Sequence, residues 1–326
     1  MKEMTSNQRR VFIDAAQLYD AYRAAFRKNR SYRGGMHWKK SKGREYLFRT
    51  RDRNGYGRSL GPRSPETEKT LAEFRRSKAA SKDRLDGLKA RLTEQARFCR
   101  AALIQRVPRV VTAILRVLDN HRMLGKNVMV VGTNALYAYE AAAGVFLDRP
   151  VLATGDMDIL WDVRTKLTLT EDEGIREAGL LGVLKKADRS FEPLRAGDFR
   201  AVNRDGFRVD LIKPDPARIQ VKDPRRMGGN GDLFSQIVIG DDGYPGPITV
   251  PDPRAYALHK LWISQQPDRN PVKKMRDREQ ALTTARLTVN YLPAHPFEES
   301  ALRMFPKAVV TKEKETLSGA DAPPGL

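Results

Sequence analysis

Two short apolar segments carry carboxylates in positions where a buried strand ordinarily has none. Asp156-Met157-Asp158-Ile159-Leu160-Trp161 sets two acids two residues apart, and Arg208-Val209-Asp210-Leu211-Ile212 sets a third between Val and Leu. Residues two apart on a strand share a face, so Asp156 and Asp158 point together while Met157 faces the core. A carboxylate in an apolar strand is costly unless a metal or a cationic partner neutralises it. The fold that relieves all three acids at once makes these strands neighbours and gathers the carboxylates at one site.

Such a site suits hard divalent cations, Mg²⁺ first and Mn²⁺ second, which bridge nucleotide phosphates, lower the pKa of an attacking hydroxyl and stabilise a leaving pyrophosphate. Asp162 would lie some 13 Å beyond Asp158 at about 3.3 Å per residue, too far along to join. A second element precedes the first acid. Gly132-Thr133 follows the apolar run Asn127–Val131 and opens a helical stretch near Asn134. There a glycine admits a phosphate close to the backbone, a hydroxyl can bond it, and helix N–H groups face it. A tight strand-to-helix turn with Thr133 as N-cap explains the same residues equally well. Other chemistries find no support. Cys99 is the single cysteine, His37, His121, His259 and His295 lack zinc spacing, and no G-x-x-x-x-G-K-[ST] string occurs.

The flanking patterns give the organisation. Val11, Ala15, Leu18, Tyr22 and Phe26 recur at helical period over residues 8 to 28. From Met36 to Gly61, short segments separated by Lys42-Gly43 and Asn54-Gly55 predict a three-stranded meander. Ser64, Pro65, Glu66 and Glu68 open a helix reaching about Ala102, with Gly87 the place for a break. A helix over Val110–Leu118 should end at a left-handed Gly125. Glu173–Lys186 reads as a helix, and Phe199–Asn203 and Phe207–Lys213 as a hairpin about Asp205-Gly206. Pro214–Pro253 is rich in Gly and Pro and should be loop around one strand, Gln236–Ile239. Pro253–Gln265 and Val272–Tyr291 predict two helices, and the last residues a polar, disordered tail.

Charge divides the chain. Residues 1 to 100 hold 27 Lys and Arg against 11 Asp and Glu, a balance of +16, which leaves +4 for the remaining 226. A basic, aromatic-bearing part beside a nearly neutral one suggests a module that holds a polyanion, although a solubility-driven surface would look alike. Lys39, Lys40, Arg44, Arg49 and Arg51, near Trp38, Tyr46 and Phe48, are the candidate nucleic-acid contacts, with some of those rings needed for core. No apolar run is long enough to span a bilayer and the first thirty residues lack a signal peptide, so no membrane and a cytoplasmic location are expected.

Gly132-Thr133, Asp156-x-Asp158 and Val209-Asp210-Leu211, in that order, resemble the motif series of polymerase-beta-like nucleotidyltransferases. VVGTNALYAYEAAAG, ATGDMDILWD, RVDLIKP and ALHKLWISQQPDRNPVKKMRDREQA look more closely like a bacterial nucleotidyltransferase-like group, over roughly residues 108 to 290. Thr133 stands where serine is usual, and the 24 residues from Gly132 to Asp156 imply an extra loop over Gly144–Thr154. The resemblance implies an α+β fold: a small mixed β-sheet core covered by helices, with a helical and β-meander N-terminal extension. The expected boundaries are 1–105 for that extension, 106–252 for the core, 253–305 for C-terminal helices and 306–326 for the tail. It implies transfer of an NMP from an NTP to an acceptor hydroxyl, with Asp156, Asp158 and Asp210 as catalytic metal ligands. Gly132, Thr133 and Lys260 would bind the nucleotide, although Lys260 also reads as a solvated helix lysine. The basic extension makes RNA, for example a tRNA end, the leading acceptor. A protein or small-molecule acceptor and a noncatalytic nucleic-acid-binding or regulatory protein are the alternatives. Glu140 stays unassigned; Lys273, Lys274, Arg276 and Asp277 could hold an acceptor or brace the site, although an i,i+4 pair such as Lys273 with Asp277 is ordinarily surface decoration.

Overall fold

The computed structural model describes residues 1–50, 55–126, 128–161, 173–195, 200–212 and 233–297. Residues 13–98 form one compact unit, and residues 1–12 with 99–326 form another. The chain opens with β1 (Lys2–Glu3) and α1 (Ser6–Ser31). The meander follows as β2 (Met36–Ser41), β3 (Arg44–Thr50) and β4 (Gly57–Pro62), and then α2 (Pro65–Ala101). The Ser64 hydroxyl accepts from Thr67 N at 3.4 Å while Thr67 Oγ1 accepts from Ser64 N at 2.8 Å, a reciprocal cap, and the helix runs unbroken through Gly87. In this unit Ala25, Leu85 and Leu88 join Leu18, Tyr22 and Phe26 in an apolar seam between α1 and α2.

The larger unit begins with α3 (Arg109–Asn120), β5 (Val128–Val131), a 3₁₀ turn (Gly132–Ala135) and α4 (Leu136–Ala143). Then come β6 (Val145–Phe146), α5 (Arg149–Leu152), β7 (Asp156–Trp161) and α6 (Glu173–Ala187). After them run β8 (Glu192–Pro193), β9 (Arg200–Val202), β10 (Arg208–Ile212), β11 (Phe234–Ile239) and β12 (Pro245–Val250). Two helices, α7 (Pro253–Ser264) and α8 (Pro271–Tyr291), close the described chain. The fold is α+β. The central sheet has the order β5-β7-β10-β9-β8, parallel between β7 and β10 and antiparallel elsewhere, and is therefore mixed. Val130, Met157, Ile159 and Val209 are buried from its strands against Ile114, Leu118, Leu136, Tyr139 and Leu184 of the helices. The loop expected over Gly144–Thr154 is built: β6 pairs with β1, and α5 follows.

Three expectations are corrected. Helix α3 ends at Asn120, and the left-handed residue after it is Arg122 (φ 56°); Gly125 (φ 77°) turns the chain into β5 instead. Helix α6 is kinked at Gly179. The segment read as loop contains a second strand, β12, antiparallel to β11. Its prolines misled the reading. Gly240 N donates to Tyr244 O, so the ladder's alternation puts Pro245 and Pro247 where an N–H would point away from β11. Asp162, the Gly-Gly-Asn-Gly-Asp segment and the polar tail lie outside the described residues.

Glu140, left unassigned by sequence, is a buried clamp. Its carboxylate takes two bonds from Arg106, each 3.0 Å, and one from Leu147 N at 2.8 Å, while Arg106 also donates to Leu147 O at 2.6 Å. The pair ties α4 to the segment that leads into β7. Because Glu140 is 3% exposed and Arg106 17%, removing the acid leaves a half-buried guanidinium without its carboxylate. Glu140→Ala should lower unfolding stability by about 3–5 kcal/mol in urea titrations, and Arg106→Met added to Glu140→Leu should recover much of that loss.

Candidate active site

The sheet brings the three acids together as the sequence requires. Asp210 of β10 lies directly beside Asp158 of β7 in the parallel register, and Arg208 lies beside Asp156. Met157 and Val209 are fully buried, so the alternate positions carrying the acids face the other way, and all three acids are half-buried. On the other side of β7, Val131 of β5 is the register partner of Asp158. The chain then turns at Gly132 (φ 66°), where a Cβ would collide with the Asp158 carboxylate. Glycine is required twice over there, by its backbone conformation and by the acid against it. Asn134 Nδ2 donates to Asp156 O at 2.7 Å and fixes the turn to the strand. The Thr154 hydroxyl donates to Asp156 Oδ1.

These contacts leave Asp158 in electrostatic conflict. Burial, and then the charges of Asp156 and Asp210, push its carboxyl up to about 6, against the opposing pull of Lys260 and Lys273. Hard carboxylate oxygens that repel one another are the donor set a divalent cation fits. Among the described residues, no group of three or more His, Cys, Asp or Glu side chains stands arranged to hold a metal ion.

Thr133 is no N-cap. It sits inside the 3₁₀ turn, 5% exposed, and its hydroxyl oxygen accepts from Gln280 Nε2 at 3.1 Å. Gln280 also donates to Val151 O at 2.9 Å and accepts from Tyr256 Oη at 3.3 Å. Sequence reasoning passed over this glutamine, whose signal was the polar series Asp277, Gln280, Thr284 and Thr288 at helical spacing. Lys260 is not a solvated helix lysine. It is 8% exposed, and its Nζ bonds Asp277 Oδ1 at 2.7 Å. Asp277 is fully buried and also takes Arg269 Nη2 at 2.6 Å, so the i,i+4 surface pair with Lys273 does not form. Burial raises the Asp277 carboxyl, but Lys260 and Arg269 outweigh it and hold the group below the usual value. Burial lowers the Lys260 ammonium, against Asp277.

The basic residues of the meander divide by exposure. Lys39, Lys40 and Arg44 are exposed, whereas the Arg49 guanidinium turns inward to Arg33 O at 2.8 Å and to the carbonyls of Gly35, Ser31 and Thr50. It also lies 4.6 Å from the centre of the Phe74 ring, so Arg49 is a structural residue of this unit. Arg51 lies outside the described residues.

A family model described as nucleotidyltransferase matches residues 109–234 and 230–305, a span of 197 of the 326 residues. The chain belongs to this nucleotidyltransferase family. The matched span holds Gly132, the three acids and both closing helices, whereas the basic meander lies outside it. No curated protein and no solved structure matches the chain. Among the described residues, no helix is long and apolar enough to cross a membrane.

The raised Asp158 carboxyl has a stability consequence with a definite sign. The folded state holds this proton up to about pH 6 and the unfolded chain only to about 3.8, so stability falls as pH rises between them. Asp158→Asn should therefore stabilise the metal-free protein by about 2–3 kcal/mol at pH 7 and by almost nothing near pH 4. Magnesium should raise the melting temperature of the parent and not of the variant. Thermal melts at the two pH values, with and without MgCl₂, check both outcomes.

Proposed function

We propose that this chain is a polymerase-beta-like, Mg²⁺- or Mn²⁺-dependent nucleotidyltransferase that moves an NMP from an NTP to an acceptor hydroxyl and releases pyrophosphate. The observation that carries the reading is Asp210 in register beside Asp158, with Gly132 packed against the Asp158 carboxylate. Asp156 and Asp158 from one strand and Asp210 from the next would hold the metal. Bound there, a divalent cation supplies positive charge along the triphosphate and acidifies the attacking hydroxyl.

The chain's own residues do the rest. Gly132 lets the turn pack against the Asp158 carboxylate, which leaves the N–H groups of that turn as the candidate donors to a phosphate oxygen. The Thr133 oxygen already accepts from Gln280, so its own proton is available to donate to that phosphate. Lys260, whose field reaches Asp158, adds positive charge on the same side. An Asp210 carboxylate oxygen takes the acceptor's hydroxyl proton as the acceptor oxygen bonds the α-phosphorus. The bond to the bridging oxygen breaks, pyrophosphate leaves with the electron pair, and the proton passes to water. The +16 balance of residues 1 to 100 supports RNA as the acceptor, ahead of protein or a small molecule.

Incubation with each labelled NTP, MgCl₂ and total cellular RNA or protein should release pyrophosphate and place label in the RNA fraction. Asp156→Asn, Asp158→Asn and Asp210→Asn should each fold and lose transfer by at least about a thousand-fold, since an amide binds Mg²⁺ far more weakly than a carboxylate. Unchanged pyrophosphate release in all three would overturn the assignment. Label in the protein fraction alone would retain the chemistry and replace the acceptor.

A further inference from the structure

The two faces of the meander differ in a way that strand patterning alone does not disclose. The register sets Trp38 opposite Leu47, and His37 opposite Phe48 with Lys39 opposite Tyr46. Directly opposed residues share a face, so Trp38 and Leu47 occupy one side and His37, Lys39, Tyr46 and Phe48 the other. The first side is the packed one. Leu47 is fully buried, Arg63 stacks 5.2 Å from the Trp38 ring centre, and Arg49 lies over Phe74 of α2.

The second side keeps its rings partly open. Tyr46 and Phe48 are half-buried, and His37 and Lys39 are exposed. The His37 and Phe48 rings lie 6.0 Å apart, and Lys39 Nζ is 5.3 Å from the Phe48 centre. Gly57 on the neighbouring strand makes room for Phe48, because a Cβ there would come within 2.8 Å of its Cε1. Tyr46 and Phe48 stand about 7 Å apart along β3, so each can take one base of an unstacked strand. Arg44 is exposed on this face beyond Tyr46, and Lys39 lies beside the ring pair, so two cations border it. Residues 13–98 carry 23 Lys and Arg against 10 Asp and Glu, a balance of +13 that matches a polyanion.

We infer that this outer face is a binding platform for single-stranded nucleic acid, on which Tyr46 and Phe48 stack successive bases while Lys39 and Arg44 meet the phosphates. The platform deepens the acceptor reading by naming where and in what form the strand is held, yet binding there does not depend on transfer taking place. Stacking needs exposed base faces, so a fully paired helix is a poor ligand for it.

Fluorescence anisotropy with the full chain, a dye-labelled oligouridine, the matching oligothymidine and a fully paired RNA hairpin tests the inference. The single strands should bind at least roughly ten-fold tighter than the hairpin, and Phe48→Leu and Tyr46→Leu should each cost roughly ten-fold with no change in salt dependence. Phe48→Tyr, which keeps a ring, should retain affinity. Lys39→Ala and Arg44→Ala should each flatten the log–log salt slope by about 0.7, whereas Arg49 already serves backbone carbonyls. Equal affinity for the hairpin, or Leu variants that bind like the parent, would overturn the platform. Should Phe48→Leu lose its cooperative melt, a strand carrying a fluorescent purine analogue decides on the parent protein: stacking changes its emission on binding, and unchanged emission overturns the inference. Strand binding without pyrophosphate release would count against the transfer reading alone, and release without strand binding against the platform alone.

Discussion

The constraint on which the core depends is the repulsion among acids held in neighbouring apolar strands. Asp158 is squeezed by burial, by Asp156 on its own strand and by Asp210 on the next, and its carboxyl rises to about 6 in consequence. A sheet selected only for stability would place apolar or amide groups there. The surroundings instead preserve the conflict. Met157, Ile159, Val209 and Leu211 fix the strands from behind, and Gly132 removes the side chain that would otherwise occupy the space beside Asp158. The cost in stability is tolerable because the rest of the sheet is packed on both α3 and α4 with large buried residues.

Part of the positive charge near those acids is held by a buried carboxylate. Asp277 bonds Lys260 as well as Arg269, so Lys260 does not collapse onto Asp158 as a permanent ion pair. A direct salt bridge between Lys260 and Asp158 would quench the repulsion and, with it, the demand for a divalent cation. Lys260 influences Asp158 through space while its own proton is held by another partner. That arrangement sets the Asp277 charge against the burial that lowers the Lys260 ammonium.

Most of the frame was legible because it follows from local rules. The period of two around Asp156 and Asp158, the Asp205-Gly206 hairpin and the apolar flanks of Asp210 are short-range signals, and the sheet obeys them. What escaped depended on partners distant in sequence. Pro245 and Pro247 look like breakers until a register is known that needs no N–H from either. Asp277 looks like a partner for Lys273 four residues earlier, but Lys260 and Arg269 on another segment reach it first. Arg49 reads as one more cation of a basic patch, although the carbonyls of the preceding turn claim its guanidinium. Helix α3 was expected to run to a glycine, yet Arg122 adopted the left-handed turn itself.

The same long-range logic explains why α8 can serve the site at all. Asp277, Gln280, Thr284 and Thr288 recur three or four residues apart, and all four are fully buried. An apolar stripe would let the helix slide or rotate among packings of similar energy, whereas a polar stripe accepts only the register in which every group finds its partner. Thr284 and Thr288 donate to the carbonyls one turn back, each at 2.8 Å, and need nothing further. Asp277 and Gln280 do need outside partners, and they take them from different elements: Lys260 on α7, and Thr133 in the turn beside Asp158. A rotation of α8 that satisfied one and not the other would leave a buried amide or carboxylate unbonded, at a cost of about 1–3 kcal/mol or more. The helix is thereby keyed to both at once, and the positions of Lys260 and Thr133 relative to the three acids are set by one rigid element.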